Sequence, residues 1–372
     1  MSKKDNMKIL ITATVMSHVA QFHKPLAMVL HRHGCMVEVA ARDNLAEKNG
    51  LNLDWADKIY DVPFERSPLS RSNLKAYKRL KQIISEGAYD IIHCNTPMGG
   101  IVTRLAARGS GARVIYTAHG FHFYRGASRK AWLVYYPIEK LFCRLTSTLI
   151  TINREDRDLA KRRLKVDTEY IHGVGVDASR YTPKRTDDAL RRELGVEGRR
   201  VILNIGELLP NKGQRFAIEA MKTVAERHND ALLVIAGNGP ERDALKAQSE
   251  AAGLSDSVRF LGYCTCLEKW QQVAELLVAC SRREGLPLNV VETMLSGNPA
   301  VVSDNRGHRE LVDDGVTGFV VPHGAPGELA DRICRLLEDD ALRERMGDAA
   351  LSKGLLYSAA NVERELEHIY FQ

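Results

Sequence analysis

The sequence predicts an α/β protein in which two doubly wound, Rossmann-like domains face each other across a cleft. Three observations lead to this prediction. The chain has 372 residues, which is more than one hydrophobic core usually supports. Short β-branched segments alternate with longer amphipathic segments, the rhythm of a parallel sheet covered by helices. That rhythm stops once near the middle of the chain and then starts again.

Six strands are predicted in each half of the chain. Those of the first half are Lys8–Val15, Val37–Ala41, Ile59–Val62, Asp90–Cys94, Arg113–His119 and Leu149–Asn153. Those of the second half are Val201–Glu207, Leu232–Ala236, Val258–Leu261, Leu276–Cys280, Ala300–Ser303 and Gly318–Val321. Helices are predicted at Gln214–Arg227, Glu241–Ala252, Glu328–Leu337, Ala341–Leu351 and from about Ala359 to the end.

The join between the two domains is expected near Gly173–Leu190. A glycine-rich turn, Pro183 and a charged stretch interrupt the periodicity there. We therefore predict domains at residues 1–180 and 181–355, followed by a last helix at residues 356–372 that joins the first domain. Because ligands of open α/β sheets bind outside the carboxyl ends of the strands, the functional residues should lie in the loops that follow strands.

Composition excludes several classes of protein. Hydrophobic residues make up 44% and charged residues 27%, a balance typical of globular chains and not of disordered ones. No apolar run approaches the roughly 20 residues of a membrane-spanning helix, and no signal peptide is recognised, so a cytoplasmic location is expected.

Charge is distributed unevenly along the chain. Residues 1–180 hold 29 Lys and Arg against 17 Asp and Glu, whereas residues 181–372 hold 24 against 30. The basic first half suggests an anionic partner, such as an acidic membrane surface, a phosphorylated substrate or nucleic acid. An ordinary solvated surface is the alternative. No nucleic-acid recognition motif accompanies the charge, so nucleic acid is not expected as a partner.

No metal site is predicted. The seven cysteines are odd in number and form no C-x-x-C pair, which is typical of reduced core thiols. Cys264, Cys266 and Cys280 lack a fourth ligand at zinc-finger spacing. Asp156 and Asp158 have the Asp-x-Asp spacing of a metal-binding pair. They fall, however, in the first turn of a predicted helix, where negative charge complements the helix dipole.

The most informative segment is Arg283–Gly297, in which a loop with Gly285 and Pro287 precedes a helical pattern. Pro287 suits the first turn, and free N–H groups at residues 286–289, with the positive end of the helix dipole, would bind a diphosphate. Glu284 and Glu292 would accept hydrogen bonds from sugar hydroxyls on either side of it. The alternative is a capped surface helix with two solvated glutamates.

Glu284 and Glu292, with the following residues 296–304, closely resemble the donor-site signature of retaining nucleotide-sugar glycosyltransferases of the glycogen-synthase-like and sucrose-synthase-like superfamily. These are two-domain GT-B enzymes. Residues 313–322 resemble the family's next turn, and residues 116–123 and 135–140 resemble the branch that builds bacterial exopolysaccharide and capsule. The resemblance runs from about Lys8 to the end of the chain.

The resemblance implies a donor site in residues 181–355. Its members would be Gly206, Glu207, Lys212, Gly237, Glu284, Gly285, Leu286, Pro287, Leu288, Asn289 and Glu292. Glu284 would contact the donor sugar, Glu292 the ribose and Lys212 the diphosphate. Glu207 stands where the family carries arginine. Lys212 and the helix dipole would then have to stabilise the charge of the leaving diphosphate, and Glu207 itself would face the acceptor. Lys212 as a solvated lysine at a helix start is the alternative.

The resemblance places the acceptor in residues 1–180. His119, at the end of a predicted strand, corresponds to the family's catalytic-centre histidine, which hydrogen-bonds the transferred sugar. With Lys212 and Glu284 it forms the expected catalytic set. Ser17, His18 and His23 join His119 as candidate acceptor contacts, although a histidine is also a common structural residue of protein cores.

The segment Phe121–Phe142 contains seven of the 24 aromatic residues and four cations. Such a segment suits a bilayer interface or a lipid-linked diphosphate. Packing of Trp132, Tyr135 and Tyr136 in the domain core is the alternative.

The function implied is a retaining, metal-independent hexosyl or N-acetylhexosaminyl transfer without a cofactor. A UDP-sugar is the expected donor and a polyprenyl-diphosphate-linked glycan precursor the expected acceptor, with peripheral contact at the inner face of the cell membrane. A transferase for a soluble acceptor, a nucleotide-sugar epimerase and an inactive carbohydrate-binding scaffold are the alternatives.

Overall fold

The computed structural model describes residues 6–47, 50–181, 183 and 188–372, and the remaining residues of the predicted join, 182 and 184–187, lie outside that range. The chain divides into a first unit of residues 1–175 and 359–372 and a second unit of residues 176–358. These ends differ by a few residues from the predicted ends at 180 and 355. The chain enters and leaves the second unit at adjacent points, where Val176 N donates to Tyr357 O (3.0 Å).

The first unit contains one parallel sheet, for which the described residues give seven strands in the order β3-β2-β1-β4-β5-β6-β7. The strands are Lys8–Val15 (β1), Met36–Arg42 (β2), Lys58–Asp61 (β3), Ile91–Asn95 (β4), Arg113–Ala118 (β5), Thr148–Thr151 (β6) and Thr168–Tyr170 (β7). The sequence analysis missed β7 because a three-residue edge strand is too short to show a hydrophobic period.

Helices cover both faces of this sheet. They are Met16–Phe22 (α1), Lys24–Arg32 (α2), Ser72–Gly87 (α3), Pro97–Ala106 (α4), Arg129–Phe142 (α5) and Arg154–Arg163 (α6). The C-terminal helix Ala359–Phe371 belongs to the same unit. It is fixed there by the stacking of Phe371 on His33 (ring centroids 3.8 Å) and by a hydrogen bond between Tyr370 and His93 (2.7 Å).

The second unit repeats the plan with a parallel sheet in the order β10-β9-β8-β11-β12-β13. Its strands are Arg200–Ile205 (β8), Ala231–Ala236 (β9), Val258–Gly262 (β10), Ala274–Ala279 (β11), Ala300–Ser303 (β12) and Gly318–Val321 (β13). Its helices are Asp188–Glu193 (α7), Gln214–Arg227 (α8), Arg242–Ala251 (α9), Leu267–Val273 (α10), Leu288–Leu295 (α11), Arg306–Leu311 (α12), Pro326–Glu338 (α13) and Asp340–Gly354 (α14).

Both sheets therefore have the strand order of a Rossmann fold, and the predicted α/β class with two doubly wound, Rossmann-like domains is confirmed. All twelve predicted strands are present, with ends that shift by two residues at most. The order reverses between β1 and β4 in the first unit and between β8 and β11 in the second. Loops that follow these strands diverge at such a switch point and leave a crevice for ligands. Within the described residues, no helix has the length and apolarity needed to span a membrane.

The core of the first unit contains one buried ion pair. The Arg104 side chain is fully buried, and its Nη1 lies 2.8 Å from Oε1 of Glu139 on α5. The Glu139 side chain is 12% exposed. The guanidinium also lies over the Tyr116 ring, 4.1 Å from its centroid. Because a buried cation is costly without its partner, Glu139 stabilises the position of α5 over the sheet.

We expect Glu139→Ala to lower the free energy of unfolding by about 3–5 kcal/mol, since it leaves the Arg104 charge buried and uncompensated. The matched control is Asp158→Ala, which breaks the exposed pair with Arg157 (2.9 Å) and should cost no more than about 1 kcal/mol. Urea unfolding of both variants measures the difference. Equal losses in the two variants would contradict a structural role for the buried pair.

Candidate functional site

A lysine and a glutamate meet at the switch point of the second unit. Lys212 ends a short 3-10 turn after β8, and hydrogen bonds tie this turn to the loop after β11. Arg282 N donates to Asn211 O (2.8 Å), and Asn211 Nδ2 donates to Arg283 O (3.1 Å). Lys212 Nζ consequently lies 2.8 Å from Glu284 Oε1, with side chains 29% and 14% exposed. Two residues of the predicted donor site are thus brought together as an ion pair.

The helix α11 begins directly after this pair. Pro287 is the residue that precedes the helix, not a member of its first turn, and proline has no N–H, so the expected set of donors at residues 286–289 was too large. The amides of Leu288 and Asn289 have no acceptor within the helix and point along its positive end. Asn289 Nδ2 donates to Ile205 O (2.7 Å), which holds the start of α11 against the end of β8.

The loop after β12 fixes the backbone of Glu284. Gly307 packs so closely that a Cβ atom there would lie 2.8 Å from the Glu284 Cβ, and Arg306 Nε donates to Glu284 O (3.3 Å). The next residue, His308, is buried, and its Nδ1 donates to Ser303 O (2.6 Å). Its Nε2 has no partner among the described residues. Burial lowers the pKa of His308 to about 4, so the imidazole is neutral near pH 7.

The sequence analysis did not select Arg306, Gly307 or His308. Their position could have identified them, because they follow a predicted strand at the same sheet edge as Glu284.

Two predicted glycines lie side by side at the ends of β8 and β9. Gly206 N donates to Ala236 O (2.9 Å), and Gly237 has a positive φ of 147°. A Cβ atom at Gly237 would lie 1.9 Å from Gly206 O, so glycine is required for this approach. Glu207 follows with an exposed side chain, and its carbonyl accepts from Gln214 Nε2 (3.1 Å). These residues therefore lie at the carboxyl ends of β8 and β9, next to the turn that contains Lys212.

The remaining donor-site candidates lie in and around α11. Gly285 and Leu286 form the loop before Pro287, and Leu286 packs against the hydrophobic core. Glu292 lies on the second turn of α11, where burial raises its pKa to about 7 in spite of a hydrogen bond from Tyr181. The sequence analysis missed Tyr181, because it lies far from α11 in the sequence.

A second cluster of polar side chains lies at the switch point of the first unit. His18, on α1 after β1, places Nε2 3.3 Å from Nε2 of His119. His119 is the first residue after β5 and not its last residue as predicted, and its Nε2 also lies 3.2 Å from Asn95 Oδ1 at the end of β4. The structure thus brings His18 and His119 together, and it adds Asn95, which the sequence analysis missed.

His23 completes the cluster. Its ring centroid lies 5.6 Å from that of His18 and 6.0 Å from that of His119. His23 is buried, and its Nε2 has no partner among the described residues. Burial lowers the pKa of His119 to about 4 and holds those of His18 and His23 well below the usual value. All three rings are therefore neutral at physiological pH.

A cavity of about 640 Å³ opens beside His18. Its wall is mostly apolar and aromatic, with Phe22, Met98, Ile101, Phe121, Phe123 and Ile138 among its members. Ser17 and Arg66 supply polar groups to the same wall. The Ser17 hydroxyl accepts from Asn44 Nδ2 (2.9 Å), which fixes its orientation. An apolar cavity with a few polar groups at one end is typical of a ligand site.

The aromatic helix α5 has two different faces. Trp132 and Tyr136 pack on the core around Phe123, each with ring centroids 5.5 Å from it. Leu133 and Leu141 are 76% and 58% exposed. Core packing and an exposed apolar surface therefore occupy opposite sides of one helix.

Asp156, weighed as a metal ligand, has a structural role. It is fully buried and accepts from Phe121 N (3.0 Å) and Asn153 Nδ2 (3.0 Å).

The raised pKa of Glu292 predicts a pH-dependent stability. Between the unfolded pKa of about 4.3 and the folded value of about 7, the native state holds a proton that the unfolded chain has released. Stability therefore falls as the pH rises through this window and then levels off. We expect Glu292→Gln to remove about 2–3 kcal/mol of this fall, measured by urea unfolding from pH 5 to pH 8.

The control for this experiment is Glu344→Gln, which changes an exposed carboxylate of the same unit. Curves for Glu292→Gln and wild type that stay parallel across the window would contradict a buried, protonated Glu292.

Comparisons with known proteins agree with this architecture. The profile of Glycosyl transferases group 1 matches residues 186–353, and that of the Glycosyl transferase 4-like domain matches residues 20–176. The chain is 39% identical over 371 residues to the putative glycosyltransferase EpsD of Bacillus subtilis (strain 168), covering 98% of this chain and 96% of EpsD.

Two further proteins illustrate the range of relatives. The chain is 27% identical over 312 residues, 80% of either protein, to the UDP-Gal:alpha-D-GlcNAc-diphosphoundecaprenol alpha-1,3-galactosyltransferase of Escherichia coli. The crystal structure of Anabaena HepE in complex with UDP and glucose has the same fold, with a TM-score of 0.79 and 22% identity over 98% of this chain and 99% of HepE.

The resemblance stated from the donor-site signature is thereby confirmed. The chain belongs to the glycosyl transferases group 1 family, and its two Rossmann-like units are those of a GT-B glycosyltransferase.

Proposed function

We propose that the protein transfers a sugar from a UDP-sugar to a lipid-linked precursor of an exopolysaccharide or capsule, with retention of the anomeric configuration. The observation that carries this proposal is the 2.8 Å pair of Lys212 and Glu284 beside the start of α11. A cation, two free helix amides and a sugar-binding carboxylate at one switch point are suited to a sugar linked to a diphosphate.

The donor would be bound in order along this surface. The diphosphate lies against the amides of Leu288 and Asn289 and draws the Lys212 ammonium toward its oxygens. Glu284 then accepts hydrogen bonds from sugar hydroxyls, and Glu292 from the ribose. HepE, which has the same fold, was crystallised with UDP and glucose, and this supports a UDP-linked donor here.

Catalysis would consist mainly of stabilising the leaving group. As the bond between the anomeric carbon and the phosphate oxygen breaks, negative charge accumulates on UDP, and Lys212 with the α11 amides stabilises it. The acceptor oxygen bonds to the anomeric carbon on the same face, and its proton passes to the departing phosphate oxygen. Glu207 cannot stabilise UDP as arginine would, so this role falls to Lys212 and the α11 amides. In this scheme no metal ion or cofactor is required.

His119 would position the transferred sugar. Its imidazole is neutral at physiological pH, because burial lowers its pKa to about 4, so it can donate or accept a hydrogen bond without adding charge. Asn95 Oδ1, 3.2 Å from Nε2, fixes the ring. Ser17, His18 and His23 lie in the same part of the first unit and are the acceptor contacts in this proposal.

The apolar cavity supports a lipid-linked acceptor. The cavity has a volume of about 640 Å³ and an aromatic and aliphatic wall, which suits the first part of a polyprenyl chain. The exposed Arg66 suits the diphosphate. The galactosyltransferase of Escherichia coli is named for an acceptor of this kind. The exposed apolar face of α5, flanked by Arg129, Lys130 and Lys140, would lie on an anionic membrane surface.

Removing Lys212 should slow hydrolysis of UDP-sugar by about 10²–10³-fold, because one electrostatic contact to the leaving group is lost. We expect Lys212→Ala and Glu284→Ala to show this loss in kcat/KM, measured as UDP released from the UDP-sugar that gives the largest thermal shift. Lys222→Ala, an exposed lysine on α8, is the matched control and should retain wild-type activity.

Three outcomes distinguish the alternatives. A wild-type protein that binds UDP but neither hydrolyses nor transfers any UDP-, GDP- or ADP-sugar would indicate an inactive scaffold. Conversion of the donor sugar without release of UDP would indicate an epimerase. Transfer to a sugar phosphate but not to a polyprenyl-diphosphate-linked glycan would indicate a soluble acceptor.

The exposed face of α5 predicts binding to anionic liposomes that weakens with salt. The double substitution Leu133→Ser and Leu141→Ser should reduce retention about tenfold, since two large apolar side chains no longer enter the interface. Flotation with phosphatidylglycerol vesicles at low and high salt measures the effect.

The control for the liposome experiment is Leu69→Ser, because Leu69 is 92% exposed in the same unit but lies outside α5. Equal retention on neutral and anionic vesicles at high salt, or equal losses in Leu69→Ser and the double variant, would refute membrane docking through α5.

A further inference from the structure

Three imidazoles of the first unit converge on one point. One ring nitrogen from each of His18, His23 and His119 lies within 4.8 Å of the other two. The Nε2 atoms of His18 and His119 are 3.3 Å apart. Two nitrogen ligands at 2.0–2.1 Å from a tetrahedral zinc ion are separated by roughly 3.4 Å, so this pair already has the spacing of two ligands.

His23 supplies an independent observation. Its side chain is 4% exposed, and its Nε2 makes no hydrogen bond within the described part of the chain. A buried polar nitrogen without a partner is unfavourable, and a metal ion offers a partner for its lone pair. Asn95 satisfies His119 in the absence of metal, but no comparable group reaches His23 Nε2.

The surroundings of the cluster suit metal binding. His18 also lines the 640 Å³ cavity, which provides an entry path and an open position for water. The Arg66 guanidinium near His18 carries a positive charge, which would repel a metal ion, but Arg66 is exposed and solvent screens this charge.

We propose that His18, His23 and His119 form a binding site for a divalent transition-metal ion that prefers imidazole, with Zn²⁺ as the expected occupant. Three histidine ligands and one open position correspond to a tetrahedral zinc site. The site is separate from the leaving-group chemistry of Lys212. To the extent that the proposed function assigns His18 and His119 to the acceptor and the sugar, a bound ion would compete with them and inhibit transfer.

The test is a Zn²⁺ titration of the full chain by calorimetry, together with Co²⁺ absorption spectra. Cys264 and Cys266 in the second unit have Sγ atoms 3.6 Å apart and are a competing site, so both are first changed to serine. We expect one Zn²⁺ per chain and a Co²⁺ spectrum of tetrahedral type without thiolate-to-metal charge transfer.

Single variants locate the site. His23→Gln and His18→Gln should each weaken Zn²⁺ binding at least about tenfold, whereas His323→Gln, an exposed histidine of the second unit, should not. Melting temperatures without metal, and UDP binding by the second unit, show that each variant is folded. The proposal is overturned if the wild type binds no Zn²⁺ at micromolar concentration, or if neither cluster variant weakens binding while UDP binding is intact.

Discussion

The parallel direction of all strands is the constraint on which both sites depend. Every strand of a unit ends at the same sheet edge, and the reversal of strand order beside β1 and β8 opens that edge to ligands. The residues that follow β8, β11 and β12 must therefore meet, and they include Lys212, Glu284 and His308. In the first unit the same rule gathers residues from β1, β4 and β5 around His119.

Position at a switch point separates candidate ligand groups from buried polar groups of the core. Arg104 and Asp156 lie in the core, where Arg104 Nη1 pairs with Glu139 and Asp156 accepts two hydrogen bonds, although Arg104 Nη2 has no partner among the described residues. His23 Nε2 and His308 Nε2 are buried as well, yet neither has a partner in the described residues. Both of these histidine nitrogens lie at switch points, whereas Arg104 Nη2 lies in the core beside Glu139. A missing partner at a position that a ligand can reach is the physical reason to assign ligand chemistry to the sheet edges.

Much of the fold was predictable from the sequence, because buried parallel strands are continuous runs of β-branched residues. Among the described strands only β7 was missed, since a three-residue edge strand carries too little pattern. The site was predictable in part. Glu284 and Lys212 were selected as separate donor residues, but their pairing depends on hydrogen bonds between Asn211 and the 282–283 loop, which no local pattern encodes. Tyr181 and Asn95 were missed for the same reason.

The sequence by itself determined the two Rossmann-like units, the family and the presence of a helix directly after Pro287, because each depends on the order of neighbouring residues. Only the tertiary structure decided which polar atoms meet and which remain without a partner. It paired Lys212 with Glu284, raised the pKa of Glu292 to about 7 and set His23 beside His18 and His119. Burial and distance between remote residues are properties of packing, and they arise only once the sheets are assembled.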